Sequence, residues 1–122
     1  MLVADSGTTT RRQAPIPDGP SVAPLVPTGT SDRVAVLHME LPAGGSLPDH
    51  SHGPSEIVLV PLSGTFTVRH DGQEHRLAAG AAAHIATGER VSLHNPGDEP
   101  ARLMIVASPP DFAAHPESWP TA

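Results

Sequence analysis

Short runs of alternating apolar and polar residues, separated by turn-forming residues, fill the middle of the chain. Alternation with a period of two is the pattern of a half-buried β-strand, and turn signals roughly every 8–12 residues are typical of an antiparallel sandwich or barrel. The predicted strands are residues 33–41, 56–62, 65–70, 73–77, 82–86, 91–95 and 101–107. Helical periodicity is weak, since Gly80 interrupts the Ala-rich piece that follows Leu77. The pattern therefore predicts an all-β fold.

The turn between two of these strands is the clearest local signal. Asp71 and Gly72 separate the segments FTVRH and QEHRL. An Asp-Gly pair readily adopts the two positive φ angles of a type I′ turn, which joins adjacent antiparallel strands. The sequence therefore predicts a two-residue β-hairpin here.

Proline divides the chain into three parts. None of the fifteen prolines lies between Leu62 and Asn95, whereas many lie before residue 30 and after residue 108. Because proline fixes φ and removes a backbone donor, continuous sheet is expected in the central part. We predict an extended or partly disordered arm (1–30), a β-barrel (31–108) and a Pro-rich tail (109–122). Residues 22–26 are the expected docking strand of the arm, and Phe112 and Trp119 are expected to anchor the tail to the barrel or to a second subunit.

The composition excludes several kinds of chemistry. The chain has no Cys, Lys or Tyr, so disulfides, thiolate metal sites, Schiff-base catalysis and phenolic acid catalysis are not available. Seven Arg against thirteen acids give a net charge of −6, which disfavours nucleic-acid binding. The chain has no apolar stretch of the ~20 residues that a membrane helix needs and no signal-peptide pattern at its start. We therefore expect a cytoplasmic protein that binds neither nucleic acid nor membranes.

Eight His remain as the main chemical resource, and two of them stand close together in the segment DHSHGPSE. His50 and His52 share one face if the segment is a strand, and Glu56 joins them if the Gly53-Pro54 turn preserves the phase. Two imidazoles and a carboxylate form a facial triad with open positions, which suits one divalent ion of Fe, Mn, Ni or Zn. The alternative is that both His lie in a polar loop and Glu56 begins an edge strand.

The spacing around these residues resembles the first motif of the cupin superfamily. That motif runs Gly, five residues, His, one, His, three or four, Glu, six, Gly. Gly44, His50, His52 and Glu56 satisfy it, and Gly64 follows after seven residues rather than six. A bulge near Pro61, or a one-residue shift of Glu56, has to absorb the additional position.

The second cupin motif is matched in part. It runs Gly, five residues, Pro, one, Gly, two, His, three, Asn, and Gly80, Gly88 and Asn95 are in place. Ala86 replaces the proline, and Val91 stands where the family has a histidine ligand. The resemblance covers residues 33–107 and implies an antiparallel cupin barrel, also described as a double-stranded jelly roll.

Cupins typically bind a metal ion through three His and one Glu. The resemblance therefore implies His50, His52 and Glu56 as ligands and leaves the fourth position to Val91. We favour a three-ligand centre, because the spacing of these ligands is kept. The alternatives are a fourth ligand from His94 or His84, and loss of metal binding. Strand parity weighs against His94, which lies on the face opposite Val91.

The remaining site expectations concern the pocket. Strand parity offers as pocket or core residues Val58, Val60, Phe66, Val91 and Leu93. His38 and Glu56 are candidates for moving protons, although a surface position is equally open for His38. With only 2% aromatic residues, the chain offers little stacking surface, so a small oxygenated substrate that chelates the metal is expected.

Two classes of function fit these features. One is a mononuclear metal-dependent enzyme of the oxygenase, isomerase, epimerase or cyclase type. The other is a binding module for a small ligand, with weak or lost metal binding. The resemblance also implies a homodimer, in which open sheet edges are covered.

Overall fold

The computed structural model describes residues Met1–Ala122 as ten β-strands followed by two short helical turns. The strands are β1 (Arg12–Gln13), β2 (Ser21–Val26), β3 (Ala35–Leu41), β4 (Ser46–His50), β5 (Glu56–Ser63), β6 (Thr65–His70), β7 (Gln73–Ala78), β8 (Ala83–Ile85), β9 (Val91–His94) and β10 (Ala101–Ser108). A 3₁₀ turn (Pro110–Ala113) and α1 (Ala114–Glu117) follow. The predicted all-β fold is confirmed, and the seven predicted strands are present with ends that differ by at most two residues.

The strands form two antiparallel sheets. The six-stranded sheet has the order β1-β2-β3-β10-β5-β8, and the four-stranded sheet has the order β4-β9-β6-β7. Alternate side chains of β10 are buried, as in a strand with one face on the core. The core is a single cluster of aliphatic side chains around Phe66, to which both sheets contribute.

The β6–β7 hairpin has the predicted turn. His70 pairs with Gln73, and the two residues between them have φ angles of 50° at Asp71 and 74° at Gly72. Two positive φ angles in a two-residue loop define the type I′ turn.

A register irregularity interrupts β5 near its end. Pro61 pairs with Leu103 and Ser63 pairs with Arg102, so that Leu62 is unpaired and bulges outward. Gly64 follows with a φ of 74°, and a Cβ atom there would lie 2.7 Å from the Cβ of Ala101. The spacing between Glu56 and Gly64 therefore includes the bulge that the motif comparison required, and glycine is needed for the close approach to β10.

Both ends of the chain pack onto the barrel. β2 lies along β3, and β1 lies along β2. The last residues return to β1, where the Gln13 amide donates to the Pro120 carbonyl at 2.8 Å. Phe112 and Trp119 pack against the core cluster. None of the helices has the length and apolar character that a membrane span requires.

Candidate functional site

A cavity of about 790 Å³ lies between the sheets, at the end that both chain termini cover. Its inner wall comes from the barrel strands, and half of its lining residues are hydrophobic. The strand residues at this wall include Met39, Leu59, Val91, Leu93 and Ile105. The size and the apolar lining are those of a pocket for a small organic molecule.

His50 and His52 are the main polar groups of the inner wall. β4 ends at His50, and His52 lies in the turn that follows, where its carbonyl accepts from the Ser55 amide at 3.2 Å. The two imidazole rings still meet, with centroids 4.7 Å apart and planes at 65°. The structure therefore brings these two predicted site residues together in one cavity.

The hydrogen bond of His50 fixes its tautomer. His50 Nδ1 lies 2.8 Å from the Pro48 carbonyl, which can only accept, so Nδ1 carries the proton. In the neutral ring, Nε2 then has a free lone pair. His50 is thus prepared to accept a proton or to coordinate through Nε2.

His52 has a different environment. It is only 6% exposed, its Nδ1 has no hydrogen-bond partner, and its ring meets Phe112 edge to face with centroids 4.7 Å apart. Burial, and secondarily the charge of His50 when protonated, lowers the pKa of His52 to about 4. His52 is therefore a neutral imidazole near neutral pH.

Glu56 does not join the histidine pair. Its carboxylate accepts from His84 Nε2 at 3.0 Å, and both side chains are more than half exposed. Its neighbour Ser55 is buried instead and donates from Oγ to the Pro109 carbonyl at 2.6 Å. With Ser55 turned inward, Ile57 and Leu59 follow it into the core, and Glu56 points outward, contrary to the strand-phase expectation.

The alternation of inward and outward side chains along β5 also decides where its predicted pocket residues lie. Val58 and Val60 lie on the outer face together with Glu56, and Leu59 lines the cavity instead. Phe66 is fully buried in the core and does not line the cavity, whereas Val91 and Leu93 do. Strand alternation alone could not reveal this, because a one-residue change of phase exchanges the two faces.

The other candidate histidines lie away from the cavity. His94 is exposed and bonds Ser46 Oγ through Nδ1 at 2.9 Å, on the face opposite Val91. His84 is bound to Glu56 on the outside. His38 is buried on the outer side of β3, where Arg11 Nη1 donates to its Nδ1 at 3.2 Å. Burial first, and then the charge of Arg11, lowers the pKa of His38.

These positions do not fit a three-ligand metal centre. The first motif also permits four residues between the second His and the Glu, but that position is Ile57, which is fully buried and cannot coordinate. The fourth ligand position of the family is the buried Val91. Two imidazoles are therefore the protein donors near this point, and no three His, Asp or Glu side chains are placed to hold one ion.

Three large side chains of the cavity wall, all in the C-terminal segment, were not among the sequence candidates for the site. Phe112, His115 and Trp119 come from the C-terminal segment and line the outer wall. The rings of His115 and Trp119 meet edge to face with centroids 5.8 Å apart. The signal for them in the sequence is the presence of large aromatic residues in a Pro-rich tail, which by itself predicts only that the tail is anchored.

Comparisons with known proteins agree with the fold. A family model described as Cupin domain matches residues 37–107. The tetracenomycin polyketide synthase protein TcmJ of Streptomyces glaucescens is 34% identical over 100 residues, and the match covers 81% of this chain but only 66% of that relative.

Two solved structures share the fold at lower identity. The polyketide cyclase RemF from Streptomyces resistomycificus is similar with a TM-score of 0.78 at 20% identity, over 88% of this chain and 79% of that one. A predicted oxalate decarboxylase from Thermotoga maritima is similar with a TM-score of 0.78 at 21% identity, over 88% of this chain and 98% of that one.

Proposed function

Since this chain belongs to the cupin family, whose model matches more than half of it, we propose that its barrel binds a small, largely apolar organic substrate and that His50 and His52 move a proton on it. The observation that carries the proposal is the pair of imidazoles in the wall of an apolar cavity, one ring with a fixed tautomer and the other neutral. The proposed activity is enolisation, as a step of isomerisation or cyclisation.

His50 is the proposed base. Its Nδ1 proton is held by the Pro48 carbonyl, so its Nε2 lone pair takes a proton from a carbon next to a carbonyl group. The ring becomes an imidazolium, and the same hydrogen bond to Pro48 stabilises that cation. The proton then returns from Nε2 to a different carbon or oxygen of the substrate, which restores the neutral ring.

His52 is the proposed hydrogen-bond donor. A ring with a pKa of about 4 remains neutral while His50 is charged, and a neutral imidazole has one N–H to donate. Donation to the substrate carbonyl oxygen stabilises the enolate that forms as His50 takes the proton. Two imidazoles in different environments thus have opposite roles, a division of labour known from other acid–base sites.

The cavity and the relatives support a proposal for the substrate class. An apolar cavity with two imidazoles suits a carbonyl or enol compound with few charges. TcmJ is described as a polyketide synthase protein and RemF as a polyketide cyclase. We propose a polyketide-derived ketone or enol as the substrate of this chain.

A divalent ion is the candidate cofactor of a second, metal-dependent function, because cupins commonly bind a metal. The specific observation in its favour is the His50 hydrogen bond to Pro48, since metal-binding imidazoles usually donate their second nitrogen to such a partner. Fe, Mn, Ni or Zn would have His50 and His52 as protein ligands and would supply Lewis-acid chemistry. Glu56 does not complete this set, because its carboxylate is bound to His84.

A homodimer is the proposed assembly. The outer face of the six-stranded sheet presents half-buried aliphatic side chains on its three central strands: Val36, Val58, Val60, Met104 and Val106. Strands that are apolar on both faces are typical of sheets that are covered on both sides. A second copy would cover this face in a symmetric dimer.

The enzymatic proposal is tested by deuterium incorporation at the α-carbon of 1-tetralone in D₂O, followed by proton NMR. We expect catalysis by the wild type and a loss of about 100-fold or more in His50→Asn. His94→Asn, a histidine change outside the cavity, is the matched control and should retain the rate. If 1-tetralone stabilises the protein against unfolding but no deuterium is incorporated, the function as a binding module is favoured instead.

A further inference from the structure

The outer wall of the cavity is built by a segment that the family match does not include. The matched region ends at residue 107, and the 3₁₀ turn, α1 and the last residues follow it. This segment contributes Phe112, His115 and Trp119 to the lining. The role of this wall therefore has to be inferred from the residues of the segment itself.

The segment is held firmly at both ends. At its start, Ser55 Oγ accepts from the Phe112 amide at 3.1 Å. At its end, the Ala122 amide donates to the Arg11 carbonyl at 3.0 Å. In the middle, the Glu117 carboxylate accepts from the Thr28 hydroxyl at 2.6 Å and from the Thr28 backbone amide at 3.0 Å. The aromatic side chains thus lie on a fixed frame, and holding them in place costs little additional entropy when a ligand binds.

The rings in the cavity form two edge-to-face pairs. His52 of the inner wall meets Phe112 of the outer wall, and His115 meets Trp119 within the outer wall. Ring pairs in this geometry have faces and edges that accept further aromatic rings. The chain has two Phe, one Trp and no Tyr. Phe112 and Trp119 line this cavity, and only Phe66 lies in the core. Although the chain has few aromatic residues, most of them are therefore concentrated at this cavity.

We propose that the C-terminal segment selects a planar aromatic ring system as ligand, and that Trp119 is the residue that determines this specificity. The indole contacts one face or edge of the ring, and the polar substituents of the ring point to His50 and His52. The cavity of about 790 Å³ has room for a ring system larger than a single benzene ring. This inference rests on the proposed function for the chemistry at the two imidazoles, whereas ring selection is independent of turnover.

The chain offers a direct reporter of ring binding. Trp119 is the only Trp, so the indole N–H gives a single peak in a ¹H–¹⁵N NMR spectrum. The probes are 1,3-dihydroxynaphthalene and its saturated analogue decahydronaphthalene-1,3-diol, which has the same carbon skeleton and hydroxyls but no ring current. Affinities are measured by isothermal titration calorimetry on the wild type, Trp119→Phe, Trp119→Leu and Leu62→Ala, the last a control at an exposed site outside the cavity.

We expect the planar probe to shift the indole peak and to bind about tenfold more tightly than the saturated probe. Trp119→Leu should weaken the planar probe by roughly 3- to 10-fold, the range of one aromatic pair, with less than about a twofold effect on the saturated probe. Trp119→Phe should keep most of the preference, and Leu62→Ala all of it. The same preference in His50→Asn, which lacks turnover, would separate ring selection from catalysis.

Equal affinity for the two probes, or absence of binding by the planar probe, would overturn the inference. Equal weakening of both probes by Trp119→Leu in a variant that unfolds at the wild-type temperature would also overturn it. Undiminished exchange in His50→Asn would contradict the proposed function and leave ring selection standing.

Discussion

His50 lies directly opposite Val91 in the pairing of β4 with β9. Side chains of residues that face each other across antiparallel strands have Cβ atoms about 5 Å apart. An isopropyl group, buried and in the cavity wall, is therefore the immediate neighbour of the His50 imidazole. An isopropyl group gives no further ligand to a metal ion.

This relationship predicts that one substitution creates a metal site. Val91→His should place a third imidazole beside His50 and His52, and zinc should raise the melting temperature of the variant by at least about 4 °C. The measurement is thermal unfolding of untagged protein with and without Zn²⁺.

Ser92→His is the matched control, because residue 92 lies on the same strand with its side chain on the other face. The control and the wild type should shift by less than about 1 °C. An equally large zinc shift in the wild type would show that the existing donors already form a complete site.

Glu56→Gln should leave the exchange rate within about twofold of the wild type. The substitution alters an exposed hydrogen bond with His84, and even exposed ion pairs contribute less than about 1 kcal/mol to the free energy of unfolding. Deuterium exchange measures the effect of Glu56→Gln on the rate, and urea unfolding measures its effect on stability. His84→Asn, which changes the other side chain of the same hydrogen bond, is the control. A loss of about 100-fold in Glu56→Gln alone would place this carboxylate in the site after all.

The buried His52 makes stability depend on pH. Its pKa is lowered from 6.5 to about 4 in the fold, so the unfolded chain binds more protons between these values. The free energy of unfolding therefore falls as the pH falls from 6.5 to 4, by up to about 3 kcal/mol from this group.

His52→Leu isolates that contribution from the carboxylates and His38. The variant should lose less stability than the wild type between pH 7 and pH 4.5, as measured by urea unfolding. It should also be at least as stable as the wild type at pH 4.5, since the unpartnered Nδ1 is removed. Parallel pH profiles of the two proteins would mean that His52 is not held neutral by the fold.

The sequence predicted the strands better than it predicted the site, and β5 shows why. Periodicity located β5, but Ile57 and Val58 begin two apolar faces, so the local pattern does not determine which face is inward. In the structure Ser55, whose hydroxyl donates to the Pro109 carbonyl 54 residues away, is buried together with Ile57, and Glu56 points outward. The same applies to Trp119, whose place in the cavity depends on the pairing of the last residues with β1. His50 and His52 were found because they are close in sequence.

The outer face of the six-stranded sheet predicts the oligomeric state. We expect a particle of about twice the 12.6 kDa chain mass in light scattering. Val60→Glu introduces a charge at the centre of this face, where Val60 pairs with Met104, and should give monomers. Thr67→Glu, on the outer face of the other sheet, should remain dimeric. A monomeric wild type would contradict the proposed assembly.

The central claim is that the imidazoles of His50 and His52 move the proton with the donors the chain itself supplies. The most direct test is the rate of α-deuterium incorporation into 1-tetralone by untagged protein before and after exhaustive chelation. We expect the same rate in both samples and a loss of about 100-fold or more in His50→Asn. Loss of the rate on chelation, with recovery on adding one divalent ion per chain, would contradict it.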